Sequence, residues 1–509
     1  PYTRQEEMVM AFYDKKYKRN LTETVKDITD WSKRASIYAY FLVRGAKLLK
    51  KEGRLGFVVE NSWLNAEYGG PLKDWFLNNL TIEYVIESLV ERWFEDAAVI
   101  TNIIIAENIK GADYATRFVY LKKPLKKLFG APPPAGDFVA NQRYYERISK
   151  LLLTAKKISL RKDYKINEND DVRTVAIKKT MLEKLGSWGV LKGPQKYLKV
   201  MLKFSKGERV GLKVIKDVLN MERGITTNAN EIFYLPSKHW KYLDEDENYL
   251  TLKGPQHRSS KISKRYLKPL IRRAHTDDTP YNISVLKRQR HEDYVLWIED
   301  ISKVDDQGTR DYLEWAKGFV EEEHEIDDTR FSTLAKHVES STWTRVPDKS
   351  GAKFFFKNDI HQDFAIRIND ISEAQVDKRL FLGNPKADID RRIIFAVLNS
   401  VFTYLGMELI GRTNLGQGAL DVNVIDYKKI PVVDPKMLEE KLKEEGKLQD
   451  FLQIVNQMLN LKPQKVASEA ENEIRLKMEK YVLGAIGIGR KDILNFYKEL
   501  ITLVNLRAK

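Results

Sequence analysis

The chain has 509 residues, of which 43% are apolar, so it is long enough for roughly three domains and too apolar to be a disordered chain. It contains no cysteine, which excludes disulfides, thiolate zinc sites and cysteine nucleophiles. Its formal net charge of +15 suits a polyanionic partner, although anionic lipid would suit the charge equally well. No apolar run is long enough to cross a bilayer, and no signal peptide is visible.

The first hundred residues have the pattern of half of a parallel α/β sheet. Residues 36–51 are predicted to form an amphipathic helix that Gly53 ends, and its apolar arc consists of Ile37, Tyr38, Phe41, Leu42, Gly45, Leu48 and Leu49. Strands are expected at 56–59, 82–86 and 99–106, the last apolar enough to be covered on both faces, with a helix at 72–77. Asn61–Leu64 follow the first strand as a turn. Open α/β sheets bind ligands at the carboxyl ends of their strands, so this turn is a predicted ligand site.

The rest of the chain alternates connectors with apolar segments. Residues 122–137 contain three consecutive prolines and are predicted to be a stiff connector, followed by a helix at 142–157. Residues 391–409 are predicted to be one strongly apolar helix. The tail at 437–509 has helical periodicity, and Gly484, Gly487 and Gly489 are interpreted as helix breaks because their spacing does not fit a dinucleotide-binding loop.

A recognisable order of motifs runs through the first hundred residues: PY … SIYAYFLVRGAKLLKKEGRLGFVVENSWLNAEYGGPLKDWFL … VERWFEDAAVITNIIIAE. This order resembles the catalytic domain of N6-adenine DNA methyltransferases of the gamma class, and especially the methyltransferase part of type IIG restriction-modification enzymes. Pro1 and Tyr2 resemble the last two letters of that family's Asn/Asp-Pro-Pro-Tyr/Phe turn, and Phe94 occupies its base-packing aromatic position. Glu60 departs from the family pattern, which usually has proline there.

The resemblance implies a specific chemistry for these residues. An adenine amino group inside a duplex is out of reach, so such enzymes flip the nucleotide out and stack its base on aromatic or apolar side chains. Pro1 and Tyr2 would then be catalytic, and Tyr2 and Phe94 would bind the target base. The alternative is that Pro-Tyr is a common dipeptide and that a phenylalanine before a strand belongs to the core.

Three later segments resemble the DNA target-recognition domain of the same family. Residues 214–235 resemble its opening, where Arg223, Gly224, Thr226, Thr227 and Asn230 are the implied DNA-binding residues; a polar loop between two strands is the alternative. Residues 261–273 hold six basic residues and no acidic one, and they supply Lys268, Arg272 and Arg273 as expected phosphate contacts. Residues 389–431 resemble the close of the domain. Their glycine-rich loop carries Arg412 and passes close either to DNA or to a neighbouring helix.

The sequence therefore predicts an α/β fold: the C-terminal half of a Rossmann-like, S-adenosylmethionine-dependent methyltransferase domain, then a mixed α+β target-recognition domain and a helical tail. The expected boundaries are 1–125 for the catalytic half-domain, 126–205 for a connector with helices, 206–435 for recognition and 436–509 for the tail. The main loop for S-adenosyl-L-methionine is expected upstream of Pro1, so residues 1–509 alone are expected to be inactive.

The resemblance implies double-stranded DNA as the partner, no membrane, a prokaryotic cytoplasmic, nucleoid-associated location, and a restriction endonuclease as a further domain or subunit. The seven histidines are scattered, and no metal site is predicted. Two other functions stay open: a DNA-binding specificity module without chemistry of its own, and a methyltransferase that acts on RNA.

Overall fold

The computed structural model describes residues 15–32, 35–94, 99–111, 113–134, 136–255, 258–272, 280–283, 294–327, 329, 331–371, 373–413 and 418–508, with the backbone alone for residues 15–19. Three of the predicted site residues, Pro1, Tyr2 and Arg273, lie outside these described residues.

A mixed sheet organises the first 180 residues, with strand order β1-β3-β2-β4-β6-β5. Its strands are β1 (Arg54–Glu60), β2 (Thr81–Ser88), β3 (Thr101–Glu107), β4 (Ala115–Leu121), β5 (Tyr164–Glu168) and β6 (Val172–Lys178). β3 lies antiparallel between β1 and β2, and among the described strands of this sheet only β2 and β4 pair in parallel. The prediction of a parallel sheet is thus wrong for most of the pairing. Parallel neighbours need a long crossover, usually helical, and the described residues between β2 and β3 contain no helix.

Helices cover both faces of this sheet. They are α1 (Lys15–Thr24), α2 (Ile37–Lys47), α3 (Gly69–Asn79), α4 (Leu125–Phe129), α5 (Phe138–Lys156), α6 (Lys179–Leu182) and α7 (Gln195–Ser205), with 3-10 turns at Asn61–Leu64 and Trp188–Lys192. The predicted strands, the turn and the helices at 72–77 and 142–157 are all present. However, residues 126–205, expected as a connector, contribute β5 and β6 to the same sheet as β1 to β4.

Helix α2 is shorter than predicted. It ends at Lys47 rather than at 51, and the turn that follows has Glu52 in the left-handed region while the Gly53 amide donates to Lys50 O. Phe41 and Leu48, which were expected on the buried arc, are 50% and 69% exposed. The helix is short because the chain must reverse here to enter β1; Leu48 lies outside the core after this reversal, whereas Leu49 still packs against it.

The segment from 206 to 434 folds around several small sheets. Its strands are β7 (Leu212–Val214), β8 (Leu219–Arg223), β9 (Tyr234–Leu235), β10 (Lys241–Glu245), β11 (Tyr249–Lys253), β12 (Ser259–Ser263), β13 (Leu267–Ile271), β14 (Asn282–Ile283), β15 (Tyr294–Leu296), β16 (Phe354–Lys357), β17 (Asp359–Ile360), β18 (Arg367–Asn369), β19 (Gln375–Val376), β20 (Leu380–Pro385), β21 (Leu420–Asp421) and β22 (Pro431–Val433). The larger sheets have the orders β10-β11-β12, β19-β13-β15-β9 and β14-β18-β16-β20-β8. This mixed architecture agrees with the predicted α+β character of the segment.

Helices of the same segment are α8 (Ile215–Val218), α9 (Asn230–Phe233), α10 (Gln307–Ile326), α11 (Ser332–Ala335), α12 (Arg391–Leu398), α13 (Val401–Ile410) and α14 (Val424–Lys429), with 3-10 turns at Lys264–Tyr266 and Ile301–Lys303. The tail adds α15 (Pro435–Glu444), α16 (Leu448–Leu459), α17 (Val466–Glu469), α18 (Glu473–Gly484) and α19 (Arg490–Ala508). The break between α18 and α19 contains Gly487 at φ +73°, as predicted for a helix break.

The single apolar helix predicted at 391–409 is wrong, because α12 and α13 meet at an angle of 53°. Ser400 accepts from Thr403 N and so begins a new helix. The Asn399 side chain bonds to both Ile366 N and Ile366 O. In the described part of the chain no single helix is long and apolar enough to span a membrane; this bent pair passes by length and composition alone when its two helices are combined.

One apolar core joins the N-terminal sheet to the C-terminal helices. Buried side chains of the sheet, of α12 and α13 and of the tail, such as Leu72, Phe395 and Phe496, belong to one continuous cluster. A second cluster lies between α10 and the strands from β9 to β15. The tail therefore packs on the sheet, and the α10 region is built around a core of its own.

Candidate active site and nucleic-acid interface

The predicted turn lies where the sequence placed it, at the carboxyl end of β1. Asn61–Leu64 form a 3-10 turn whose four residues are all buried. Trp63 anchors the turn: its indole N–H donates to Asn102 Oδ1 at 3.3 Å, and its ring makes edge contacts with Phe76 and Trp188. A turn held by this much apolar packing is rigid, which is what a site needs to position a ligand.

A buried carboxylate lies beside the turn, at the carboxyl end of β2. Glu87 is 1% exposed, and its Oε1 accepts from Asn61 Nδ2 at 3.0 Å and from Lys192 Nζ at 3.1 Å. Its Oε2 has no hydrogen-bond partner among the described residues, and neither has Thr101 Oγ1 or Asn102 Nδ2. Buried polar atoms without partners are rare, so their concentration at one end of the sheet marks a place suited to an ordered water or a polar ligand group.

Hydroxyl groups and a lysine support the turn from the helix side. Tyr38, Ser62 and Tyr68 hydrogen-bond to one another at 2.7 to 3.0 Å. Burial raises the pKa of the Tyr38 phenol well above its usual range, so this group stays protonated. Lys73 donates to Leu64 O at 3.0 Å, and burial, with the nearby charge of Lys429, lowers its pKa to about 8.

Phe94 follows β2 at the same end of the sheet. β1 and β2 run in the same direction, and the Asn61–Glu87 hydrogen bond joins their carboxyl ends. Phe94 is 48% exposed, so it is not the core residue that the alternative interpretation expected. An exposed aromatic ring is a surface on which a planar ligand can stack.

Arg412 also lies close to the turn. Asn65, just past the turn, donates to Leu409 O and Gly411 O at 2.9 and 3.3 Å, which brings the loop after α13 against it. Asn61, Glu87, Lys192 and Arg412 line a cavity of about 20 Å³, room for about one water. Arg412 itself pairs with Asp421 at 2.7 Å and with Asp426 at 3.3 Å. Its guanidinium is therefore engaged inside the protein, and Gly411 would meet the Leu420 side chain with an added Cβ.

The expected DNA-binding residues from β8 and β13 come together around a buried aspartate that the sequence did not single out. Asp377 is fully buried and accepts from Tyr234 Oη at 2.7 Å, and burial together with this carboxylate raises the pKa of Tyr234. Arg272 lies over the Tyr234 ring at 5.7 Å. Arg223 Nε donates to Lys378 O at 3.2 Å.

Arg379 Nε lies 3.9 Å from Asp377 Oδ1, and its side chain is 51% exposed. We call Arg223, Arg272, Lys378 and Arg379 the basic cluster. Lys378 and Arg379 follow Asp377 just after β19 and were missed because two charges in a short loop carry no periodic signal. Only the pairing of β19 with β13 brings them to Arg272.

The loop after Arg223 is partly internal. A Cβ at Gly224 would lie 2.3 Å from Asp377 O, so this glycine permits a close approach between two segments of the protein itself. Thr227 is buried and its hydroxyl donates to Asn230 Oδ1 at 2.6 Å, whereas Thr226 is exposed. Lys268 lies 3.7 Å from the centre of the Trp297 ring and 3.6 Å from Asp348. Of this set, Arg223 and Thr226 are the side chains most open to a partner.

The chain was compared with known proteins. Residues 1–94 match the family model described as Eco57I restriction-modification methylase. A search of curated proteins gives no match. Among solved structures, the chain is similar to MmeI, a type IIL restriction-modification enzyme in complex with DNA, with 11% identity and a TM-score of 0.50 over 99% of this chain and 56% of that one.

Two further solved structures are similar with lower scores. The type IIG restriction endonuclease BpuSI has 12% identity and a TM-score of 0.42 over 98% of this chain and 53% of that one. The M protein of the type I restriction enzyme EcoKI has 13% identity and a TM-score of 0.20 over 28% and 35%. The chain spans about half the length of MmeI and BpuSI, and at such identities the likeness to MmeI concerns the fold.

The family match covers the buried Asn61–Leu64 turn and ends at the exposed ring of Phe94. Residues 1–94 are thus similar to the restriction-modification methylases that this family model describes.

Proposed function

We propose that this chain is the base-binding and target-recognising part of a DNA methyltransferase that transfers a methyl group from S-adenosylmethionine to N6 of adenine within a restriction-modification system. The observation that carries the proposal is the family match over residues 1–94, which contain the rigid turn and Phe94. Pro1 and Tyr2 keep their proposed catalytic and base-binding roles, which rest on the resemblance alone.

Phe94 is the described residue that we assign to the target base. Its ring is half exposed and follows β2 at the end of the sheet where the Asn61–Leu64 turn lies. Stacking of a base on an aromatic side chain contributes about 1–3 kcal/mol, comparable to the cost of taking a base out of the duplex. In this role Phe94 holds the extruded adenine, and the buried network of Asn61, Glu87 and Lys192 keeps the Asn61–Leu64 turn in place.

The cavity that Asn61, Glu87, Lys192 and Arg412 line is too small for a cofactor. Its volume is about 20 Å³, which is far below the size of a nucleoside-bearing methyl donor. We therefore place no S-adenosylmethionine in this cavity and derive no step through it. A partner endonuclease, as a domain or as a subunit, belongs to the same proposal.

Double-stranded DNA is the proposed substrate, and the basic cluster is its proposed contact. Arg223 and Arg379 are exposed at their tips, and Arg272 and Lys378 are partly exposed beside them. Arginine and lysine side chains on one surface supply the salt-dependent attraction to phosphates that most DNA-binding proteins use. Exposed Thr226 adds a hydroxyl that can bond to a phosphate or to a base edge.

The experiment measures transfer of labelled methyl groups to duplex DNA by the full-length product of the gene that encodes this chain. Phe94→Ala should lower the turnover number by roughly ten- to a hundredfold, since it removes a stacking contact of about 1–3 kcal/mol, and should change duplex affinity less than twofold. Phe138→Ala is the matched control, because Phe138 is 86% exposed on α5 and should leave both quantities unchanged.

Identification of the methylated base completes the test. N6-methyladenine in the digested product supports the proposal, whereas a methylated cytosine, or a Phe94→Ala variant with wild-type turnover, contradicts it.

A non-catalytic DNA-binding module is the second candidate, and the basic cluster favours it because that cluster needs nothing from the N-terminal sheet. Duplex binding by the full-length protein without any methyl transfer would select this candidate. Preference for structured RNA over duplex DNA in a competition assay would reject duplex DNA as the ligand, both for the methyltransferase and for the non-catalytic module.

A further inference from the structure

A groove runs along the partly exposed face of α10, where Trp315 and Phe319 pack against the edge of the second core. Its volume is about 880 Å³. The residues of α10 that line it are Asp311, Glu314, Trp315, Gly318, Phe319, Glu322 and Glu323. These positions recur three and four residues apart, so they share one face of the helix. The opposite face of α10 is buried through Thr309, Tyr312, Leu313, Ala316 and Val320. The groove is therefore a property of a well-anchored helix.

Aromatic rings form the floor of the groove. Trp315 and Phe319 are stacked, with ring centres 5.2 Å apart and planes at 19°. His239 lies 4.9 Å from Phe319, and Trp240 lies 5.3 Å from Trp315 in an edge contact. Trp240 is buried, whereas Trp315 and Phe319 are partly exposed, and an exposed aromatic face attracts cations through the ring quadrupole.

Carboxylates surround this floor in a protein whose net charge is +15. Four of them line the groove, Asp311, Glu314, Glu322 and Glu323, and Arg258 is the one positive side chain among the described lining residues. The side chains of Glu314 and Glu322 have neither an ion pair nor a hydrogen bond with any other described residue. Glu314 and Glu322 therefore present negative charge that the described part of the protein leaves uncompensated.

Gly318 sits in the middle of the groove, halfway along a 20-residue helix. A Cβ at this position would meet nothing within 4 Å, so no packing inside the protein requires glycine here. Glycine in a helix interior lowers stability relative to alanine. Because Gly318 has no side chain, the helix backbone between Trp315 and Glu322 is uncovered. The groove is therefore deeper at the position where a ligand would lie.

From these observations we propose that the α10 groove binds an arginine-bearing basic peptide segment of a protein partner. Planar guanidinium groups stack on aromatic faces and bond bidentately to carboxylates, and the groove offers both within one helix face. Asp311 and Glu322 are eleven positions apart, about 17 Å along the helix, which is the length of about five extended residues. Nucleic acid is excluded as the occupant by the same carboxylates, which would repel its phosphates.

The test uses the full-length protein and measures tryptophan fluorescence and calorimetric heat as a capped peptide, Arg-Ala-Arg-Ala-Arg, is added. The controls are the same peptide with uncharged citrulline in place of arginine, and spermidine. Saturable binding of the arginine peptide that weakens with salt is expected, and the citrulline peptide should bind at least tenfold more weakly.

Three variants locate the binding. Gly318→Met fills the groove and should weaken peptide binding at least tenfold, with an unchanged circular dichroism spectrum. Glu322→Gln should weaken it several-fold. Glu321→Gln removes the same charge one residue away, outside the groove, and should change the affinity less than twofold.

Several results would overturn the proposal. They are absence of peptide binding at millimolar concentration, equal binding by the citrulline peptide, wild-type binding by Gly318→Met, and equal losses in Glu322→Gln and Glu321→Gln. Spermidine binding as tight as that of the peptide and equally sensitive to Gly318→Met would assign the groove to free polyamines instead.

Discussion

Two groups of arginines in this protein differ: one is buried and bonded within the fold, and the other is exposed at the surface. Arg475 on α18 is fully buried: its guanidinium donates to Tyr497 Oη at 3.0 Å, lies 3.3 Å from Glu469 and 3.7 Å from Glu479, and bonds to Asn399 O. Arg223 and Arg379 in the basic cluster make one weak polar contact each with the described residues and are exposed. The first arginine joins parts of the fold, and the other two are available to a partner.

The comparison teaches that an arginine's role follows from what surrounds it. Arg412 was assigned to DNA from its loop, yet it pairs with Asp421 and Asp426, as Arg475 pairs with its glutamates. Buried ion pairs cost strongly when one partner is removed, whereas exposed charges contribute little to stability. Replacing a buried arginine should therefore lower stability more than replacing an exposed one. Replacing an exposed arginine of the basic cluster should weaken DNA binding more than replacing a buried one.

The largest expected effect is on stability. Arg475→Met removes the cation from between Glu469 and Glu479 and should lower the free energy of unfolding by about 3–5 kcal/mol, because two buried carboxyl groups lose their partner. Arg223→Met, the matched control, should change it by about 0.5 kcal/mol at most. Urea denaturation of both variants checks this, and equal midpoints would remove the distinction between the two groups.

The second effect depends on pH. Burial raises the pKa of Glu479 from 4.5 to about 7, with Arg475 opposing the shift. Between these values the folded protein binds more protons than the unfolded chain, so this group makes the free energy of unfolding fall as pH rises from 4.5 to 7.

Glu479→Gln keeps an acceptor for Val401 N and Tyr497 Oη but does not titrate. It should flatten this dependence by at most about 1.4 kcal/mol per pH unit. Denaturation midpoints at pH 5, 6 and 7 measure the change, and parallel curves for variant and wild type would refute the assignment.

The smallest effect is on DNA affinity and rests on the proposed function. Arg223→Gln and Arg379→Gln should each weaken duplex binding by about 1 kcal/mol and reduce the slope of log affinity against log salt by about 0.9, the value for one lost phosphate contact. Lys436→Gln on α15 removes an equally exposed charge outside the basic cluster. Lys436→Gln should leave the slope unchanged. A loss of DNA affinity as large as that of the two arginine variants would mean that DNA is attracted by the overall positive charge and not by the basic cluster.

Local pattern was enough to predict several parts of the candidate site. Residues 56–59 and 82–86 form strands, Asn61–Leu64 form the turn after the first of them, and Phe94 stays outside the core. Each of these depends on neighbouring residues: a glycine before an apolar run, an apolar run of strand length, and polar residues at its end. The tail helices and their break at Gly487 were predictable for the same reason.

The partners of these residues depend on contacts between distant segments. Glu87 reaches Lys192 across 105 residues, and Arg272 reaches the neighbourhood of Arg379 only because β13 pairs with β19. The direction of β3, the bend after Asn399 and the ion pairs of Arg412 were likewise settled by packing against elements far away in sequence. The sequence alone determined which segments are strands, helices and turns, because those choices follow from local periodicity. Only the tertiary structure decided which charges are compensated inside the protein and which are left for a partner, because compensation needs two groups that the fold brings together.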